Sequence, residues 1–157
     1  IKYNDNLFRI IEKNNNYIKL TLAYHLEDSK VNYNNINQYL NNVLLNKLEK
    51  NNLVKCPFYG GNYSKDNNYD YKEIYNKKEY SYIGLPSVTE LFITDGSDIW
   101  LNNYNNNSLI YNTNTLGRLF LDNNDNLHYL KPSICINGNI TILSGSGTNT
   151  DPYILEE

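Results

Sequence analysis

Between Asn34 and Lys50 the apolar residues Ile36, Leu40, Val43, Leu44 and Leu48 recur at steps of three and four, whereas the runs on either side alternate with a period of two. The first spacing is that of one helical face and the second that of a half-buried strand. The chain must therefore pack at least one helix against sheet built from segments that precede and follow it. Asn34 or Asn35 suits the start of this helix, and Lys47 and Lys50 suit its carboxyl end, where the macrodipole favours cations.

Leu7-Phe8-Arg9-Ile10-Ile11 and Tyr17-Ile18-Lys19-Leu20-Thr21-Leu22-Ala23 are β-type runs separated by Lys13-Asn14-Asn15-Asn16, and they predict an opening hairpin. In the second run Ile18, Leu20 and Leu22 share one face and Lys19 and Thr21 the other, as in a half-buried strand. Residues 60–79 carry no sustained apolar period and are read as a long surface loop. Tyr80–Gly84 reads as a short strand. Pro86 or Ser87 then opens a second, shorter helix with Glu90 in its first turn, ending near Asp95-Gly96. Strands follow around Ile99–Leu101, Ser108–Tyr111, Arg118–Leu121, Leu127–Leu130, Ile134–Ile136 and Asn139–Leu143, and Asn137-Gly138 is a strong signal for a hairpin between the last two. The expected class is α+β: an N-terminal β-hairpin, two helices, then an antiparallel β-meander. Residues 1–157 form a single domain, long enough to bury roughly two-thirds of the unfolded surface.

Composition excludes several functions. A formal charge of −3, with no basic run longer than Lys77-Lys78, gives no field able to hold a polyanion, so nucleic acid is not an expected partner. No apolar run approaches the ~20 residues that cross a bilayer, and this fragment is not expected to insert into a membrane. The chain opens at Ile1 and contains no Met, which reads as a fragment of a longer secreted or anchored protein whose anchor would lie upstream. Asn fills about a fifth of the positions and Tyr 16 of them, a bias that AT-rich coding explains most simply.

Few residues suggest chemistry. Cys56 and Cys135 match neither a zinc site nor a C-x-x-C motif. The bland expectation is two half-buried thiols. Cys135 alternates with Ile134 and Ile136 and so faces away from their layer, which leaves a bridge open. His25 and His128 have no ligand-spaced Cys, Asp or Glu and are expected to be hydrogen-bonded or solvated strand histidines. A Cys135 nucleophile assisted by His128 is the weaker alternative. Asp95, Ser97 and Asp98, or Asp122, Asn124 and Asp125, offer oxygen ligands for calcium, but turn chemistry accounts for both groups. Gly145-x-Gly147 leads to Pro152, not to a helix, and reads as a terminal turn. No catalytic residue, metal or cofactor is expected.

Tyrosine makes the better surface argument. Tyr59, Tyr63, Tyr69, Tyr71, Tyr75, Tyr80 and Tyr82 crowd the long segment and its exit, and Tyr gives rigid amphipathic contact area suited to glycans or proteins. Tyr63, Tyr69, Tyr71, Tyr75 and Trp100 are the candidate ligand-binding residues. Codon bias with interior packing is an equal reading of the tyrosines, and for Trp100 the core is the favoured reading, where its indole N–H needs a partner.

The series Leu7-Phe8-Arg9-Ile10-Ile11, Asn37-Gln38-Tyr39-Leu40-Asn41, Ile83-Gly84-Leu85-Pro86-Ser87-Val88-Thr89-Glu90-Leu91, Trp100, Lys131-Pro132-Ser133-Ile134 and Gly145-Ser146-Gly147-Thr148 to Asp151-Pro152-Tyr153 resembles a family of uncharacterised extracytoplasmic domains of low-GC Gram-positive bacteria, along nearly the whole chain. The Leu-Pro-Ser-x-x-Glu helix start followed by a Trp strand is also remotely similar to C-type-lectin-like and sulfatase-modifying-factor domains, although Lys131-Pro132 stands where those have Arg-Pro. The resemblance implies an extracellular, cell-surface or secreted location and a C-type-lectin-like arrangement. It does not extend to calcium-dependent sugar binding, since the Glu-Pro-Asn and Trp-Asn-Asp motifs are missing. The expected function is a non-catalytic binding module for a glycan or an envelope protein. A structural subunit of a surface filament is the alternative, with an enzyme third; the sequence does not fix the oligomeric state.

Overall fold

The computed structural model describes residues 1–26, 30–48, 50–65, 71–94, 98–104 and 109–156, with backbone alone for residues 63–65, 71–76 and 92. Strands β1 (Lys2–Tyr3), β2 (Asn6–Lys13) and β3 (Tyr17–Leu22) open the chain. β2 and β3 form the expected antiparallel hairpin. Asn14 closes it by accepting the Asn16 and Tyr17 backbone N–H groups on its Oδ1 at 2.9 and 3.1 Å. Ile18, Leu20 and Leu22 enter the main core. Lys19 and Thr21, on the other face, are also fully buried, so β3 is covered on both sides and not half-buried. Alternation of apolar and polar residues predicts one wet face. Here that face is dry: the Lys19 ammonium finds the Glu90 carboxylate and the Pro57 carbonyl inside, and the Thr21 hydroxyl is buried without a hydrogen-bond partner among the described residues.

Helix α1 (residues 33–47) is the predicted helix. Asn32 caps it, its Oδ1 accepting the Asn35 N–H at 3.1 Å. Its middle, Tyr39–Leu44, is wound more widely than an α-helix before the last turn tightens over Leu45–Lys47. Ile36 and Leu40 are buried, and Leu44, Leu45 and Leu48 pack on the same core. The wider winding shifts the facing residues, so that Leu45 and not Val43 joins them.

Strands β4 (Cys56–Lys65) and β5 (Tyr71–Ser81) correct the reading of residues 60–79 as a surface loop: they form a long antiparallel hairpin with a bulge at Gly60 to Asn62. The pattern hides it because residues 77–80 are all exposed and no apolar alternation is required of them. β6 (Ile83–Gly84) follows, then α2 (Val88–Thr94). α2 starts with a capping box: Ser87 Oγ accepts the Glu90 N–H at 3.3 Å, and Glu90 Oε2 accepts the Ser87 N–H at 2.8 Å.

β7 (Trp100–Tyr104), β8 (Ile110–Thr113) and β9 (Leu119–Asp122) make an antiparallel meander. β10 (Ser133–Asn137) does not continue it but crosses to lie between β3 and β6, and β11 (Ile142–Ser144) pairs with β12 (Ile154–Leu155). The meander expectation therefore holds for β7–β9 only. Residues 127–130 form no strand; His128 and Tyr129 make single bridges to Val31 and Ile99. Asn137-Gly138 makes a turn but no hairpin. Gly138 lies against the Asn14 and Asn15 backbone, where a Cβ would collide with their carbonyl groups, so this turn docks on the β2–β3 turn.

The result is a mixed α+β fold, mostly strand, with two sheets in the orders β11-β12-β1-β2-β3-β10-β6 and β5-β4-β7-β8-β9. β7 is buried on both faces: Trp100 enters the main core, while Ile99 and Leu101 pack with Val88 and Leu91 of α2. Cys56 and Cys135 are joined in a disulfide that links β4 of one sheet to β10 of the other, which overturns the expectation of two free thiols. The alternation argument survives, since Ile134 and Ile136 face the main core and Cys135 packs with Cys56 and Phe58. Among the described residues no helix is long and apolar enough to cross a membrane.

Candidate functional site

β5 offers two different faces at the edge of its sheet. Lys77, Glu79 and Ser81 line a cleft against α1, where Asn37 and Asn41 form the opposite wall. Ile36, Leu40 and Ile83 contribute apolar floor, and Asn102 closes one end. The cleft has a volume of about 80 Å³. Drug-sized pockets run to ~300–1,000 Å³, so this one has room for a few waters or the edge of one small polar ring. Its amides and hydroxyl can both donate and accept. Lys77 Nζ and Glu79 Oε2 stand 3.8 Å apart with both side chains about half exposed, an ion pair too open to contribute much to stability.

Residues of the opposite parity form an aromatic and cationic strip. Lys78 lies over the Tyr80 ring at 4.9 Å and the Tyr59 ring at 5.6 Å, and Lys55 over the Tyr82 ring at 5.5 Å. A hydrogen bond with the Tyr80 hydroxyl raises the Lys78 ammonium above its usual range. Tyr80 is 59% exposed, a large aromatic surface open to solvent.

Tyr33 joins this region to the core. Its ring lies at the cleft and meets Trp100 edge to face, with centroids 5.5 Å apart. Burial pushes its phenol up to about 12, with smaller contributions from Tyr104 and Glu79, so it stays a neutral donor and acceptor. Trp100 itself is 0% exposed and donates its indole N–H to the Val31 carbonyl at 2.8 Å. It fills the core role and presents no surface to a ligand, but it props the tyrosine that does. Of the other candidates, Tyr63 lies on β4 and Tyr71 and Tyr75 on β5, all described by backbone alone, and Tyr69 falls outside the described residues. The sequence reading missed the polar cleft. Asn37 and Asn41, one turn apart on the wet side of α1, were its available signal.

His128 is the other polar cluster. Its Nδ1 stands 2.6 Å from Asp98 Oδ1 and its Nε2 3.0 Å from Asp122 Oδ2. A carboxylate oxygen thus lies within hydrogen-bond distance of each ring nitrogen, so both nitrogens are engaged inside the fold. The ring packs edge to face on Trp100 at 4.4 Å. Lys30 Nζ lies 2.6 Å from Asp98 Oδ2 and sits over the Tyr129 ring, on which His25 stacks. Desolvation pushes the Asp98 carboxyl up, but hydrogen bonds from Lys30 and His128 outweigh it and hold it below the usual carboxylate range. Asp122 behaves alike: desolvation is overcome by His128, the Asn123 N–H and the Asn126 amide. Asp98, at φ 53°, is in the left-handed region that non-glycine residues seldom adopt, and this clamp holds it there.

Of the oxygens considered for calcium, those of Asp98 and Asp122 thus face Lys30, His128 and Asn126, and Asp125 Oδ1 accepts from the Asn34 amide at 3.3 Å. Asp95 and Ser97 lie outside the described residues. Cys135, in the disulfide, is not a nucleophile. Among the described residues no group of three or more His, Cys, Asp or Glu side chains is placed to share a metal.

Comparison with protein-family models, with curated proteins and with solved structures finds no match for this chain.

Proposed function

We propose that this domain is a binding module that works outside the cytoplasm and takes a glycan at the β5 edge. The observation that carries the reading is the two-faced β5: a polar cleft against α1 on one side and the Tyr59, Lys78 and Tyr80 strip on the other. A sugar ring presents hydroxyls to amides and hydroxyls, and C–H faces to aromatic rings, and this edge supplies both kinds of partner, with amides from α1 and a hydroxyl and an exposed ring from β5. The small cleft volume favours recognition of one sugar residue of a longer chain over capture of a large ligand. The buried disulfide supports an oxidising compartment, since such bonds are rare in the cytosol. The resemblance to extracytoplasmic Gram-positive domains points the same way. His128 is occupied on both nitrogens, which supports a binding role over a catalytic one. Titration of the domain with soluble envelope polysaccharide fragments tests the proposal; binding should weaken on Tyr80→Ala or Asn37→Ala while the fold is kept.

A further inference from the structure

We infer that β9 is a self-association edge, at which two copies of this chain pair β9 with β9, antiparallel, in the register that sets Phe120 against its own counterpart. Among the described residues β9 is the terminal strand of the second sheet, bonded only to β8. Which of its peptide groups are free follows from β8. The Thr113 N–H is donated to the Ile99 carbonyl on the β7 side at 3.0 Å, and the Asn114 N–H to the Arg118 carbonyl at 2.9 Å. Successive residues of a strand aim their peptide groups to opposite edges, so Phe120, paired with Asn112, aims inward as Arg118 does. Leu119 and Leu121 then aim their N–H and C=O groups away from the sheet.

Only one symmetric register uses both outward residues of each strand: Leu119 against Leu121 of the second copy and Leu121 against its Leu119, with Phe120 facing Phe120. The side chains agree with it. The strand reads Arg118-Leu119-Phe120-Leu121-Asp122, so a two-fold axis through Phe120 sets base against acid at both ends and apolar against apolar between. Phe120 is 53% exposed and Leu121 38%, and Asp122 keeps 29% of its side chain open beyond its contact with His128. Sheet edges are usually protected by inward charges, proline or bulges, and Leu119–Leu121 carries none of these. β5 lies at the opposite edge of the same sheet, so pairing at β9 leaves both copies' β5 edges free.

The test is cysteine cross-linking of the 157-residue chain, supported by sedimentation equilibrium. Directly opposed residues of a non-hydrogen-bonded pair have Cα atoms ~4.5 Å apart, within disulfide reach. Phe120→Cys should therefore oxidise to a covalent dimer, while Leu116→Cys, 74% exposed but in the β8–β9 turn, should stay largely monomeric. The unchanged chain should sediment as a concentration-dependent dimer. Leu121→Pro, which removes only an outward N–H, should abolish that dimer, and Arg118→Glu should weaken it about tenfold, because two-fold symmetry counts each like-charge contact twice. A chain that stays monomeric at every concentration, or a dimer that survives both variants and cross-links equally at both cysteines, overturns the inference.

Discussion

Lys19 Nζ lies 2.6 Å from Glu90 Oε1, with the lysine side chain wholly buried and the glutamate 17% exposed. The same ammonium donates to the Pro57 carbonyl at 3.2 Å and sits over the Phe58 ring, while the other Glu90 oxygen caps α2. This one pair ties β3, an interior strand of the first sheet, to the start of α2. At the far end of the helix, buried Lys131 donates to the Thr94 carbonyl at 3.0 Å. Glu90→Leu should strand a buried ammonium and remove a cap, at about 3–5 kcal/mol. Joining it to Lys19→Met should recover much of that loss. Chemical denaturation of the two single variants and the double variant checks this, and additive losses would contradict it.

The disulfide closes a stretch of 79 residues, so loss of Cys56 and Cys135 should cost about 2–4 kcal/mol, most of it through a freer unfolded chain. Both cysteines are 0% exposed. A thiol reductant should thus act slowly on the native domain and quickly on the denatured one, as thiol labelling over time would show.

Acid should loosen the His128 clamp in a predictable direction. Asp98 and Asp122 are held below their ordinary carboxylate range in the fold, so protons bind more readily to the unfolded chain. Their contribution is fully present above the unfolded carboxylate pKa of ~3.9 and is lost as pH falls through the lower folded values. Thermal melts from neutral pH downward should show this decline. His128→Asn should shrink it, because the folded carboxylates would then titrate nearer their ordinary range.

Leu40, 2% exposed on α1, should cost about 2–5 kcal/mol when changed to Ala, against little for exposed Asn42→Ala. Equal effects in urea denaturation would contradict the helix packing.

Local pattern carried the opening hairpin, α1 and the start of α2, because each is written in neighbouring residues: the Asn14 turn, the Ile36-to-Leu48 spacing, and Ser87 with Glu90. The β4–β5 hairpin was not legible, since an exposed ribbon needs no apolar period. The departure of β10 to the other sheet depends on contacts with Tyr17–Thr21, more than a hundred residues away, which no local signal reports. The polar face of β3 looked wet for the same reason: Lys19 is buried by a glutamate 71 residues distant. Tyrosine crowding drew attention to the stretch of chain in which the proposed site lies. The cleft itself arises only where α1 and β5 meet: Asn37 and Asn41, one turn apart on α1, could have marked one wall, but no local signal names the strand that faces them.

Pairing at β9 has a consequence for any such ligand, because two β5 edges on one particle would raise avidity for a polymer without changing the single-site affinity. Arg118→Glu should then lower retention on immobilised polysaccharide while leaving the affinity for a short fragment unchanged.

The most direct measurement of the central claim is amide chemical-shift mapping of the domain during titration with soluble envelope glycan fragments. The account predicts saturable shifts at Asn37, Asn41, Lys78 and Tyr80, with Tyr80→Ala weakening binding by more than ~1 kcal/mol and leaving the melting temperature nearly unchanged. Shifts confined to residues remote from the β5 edge, or no saturable shift with any fragment, would contradict it.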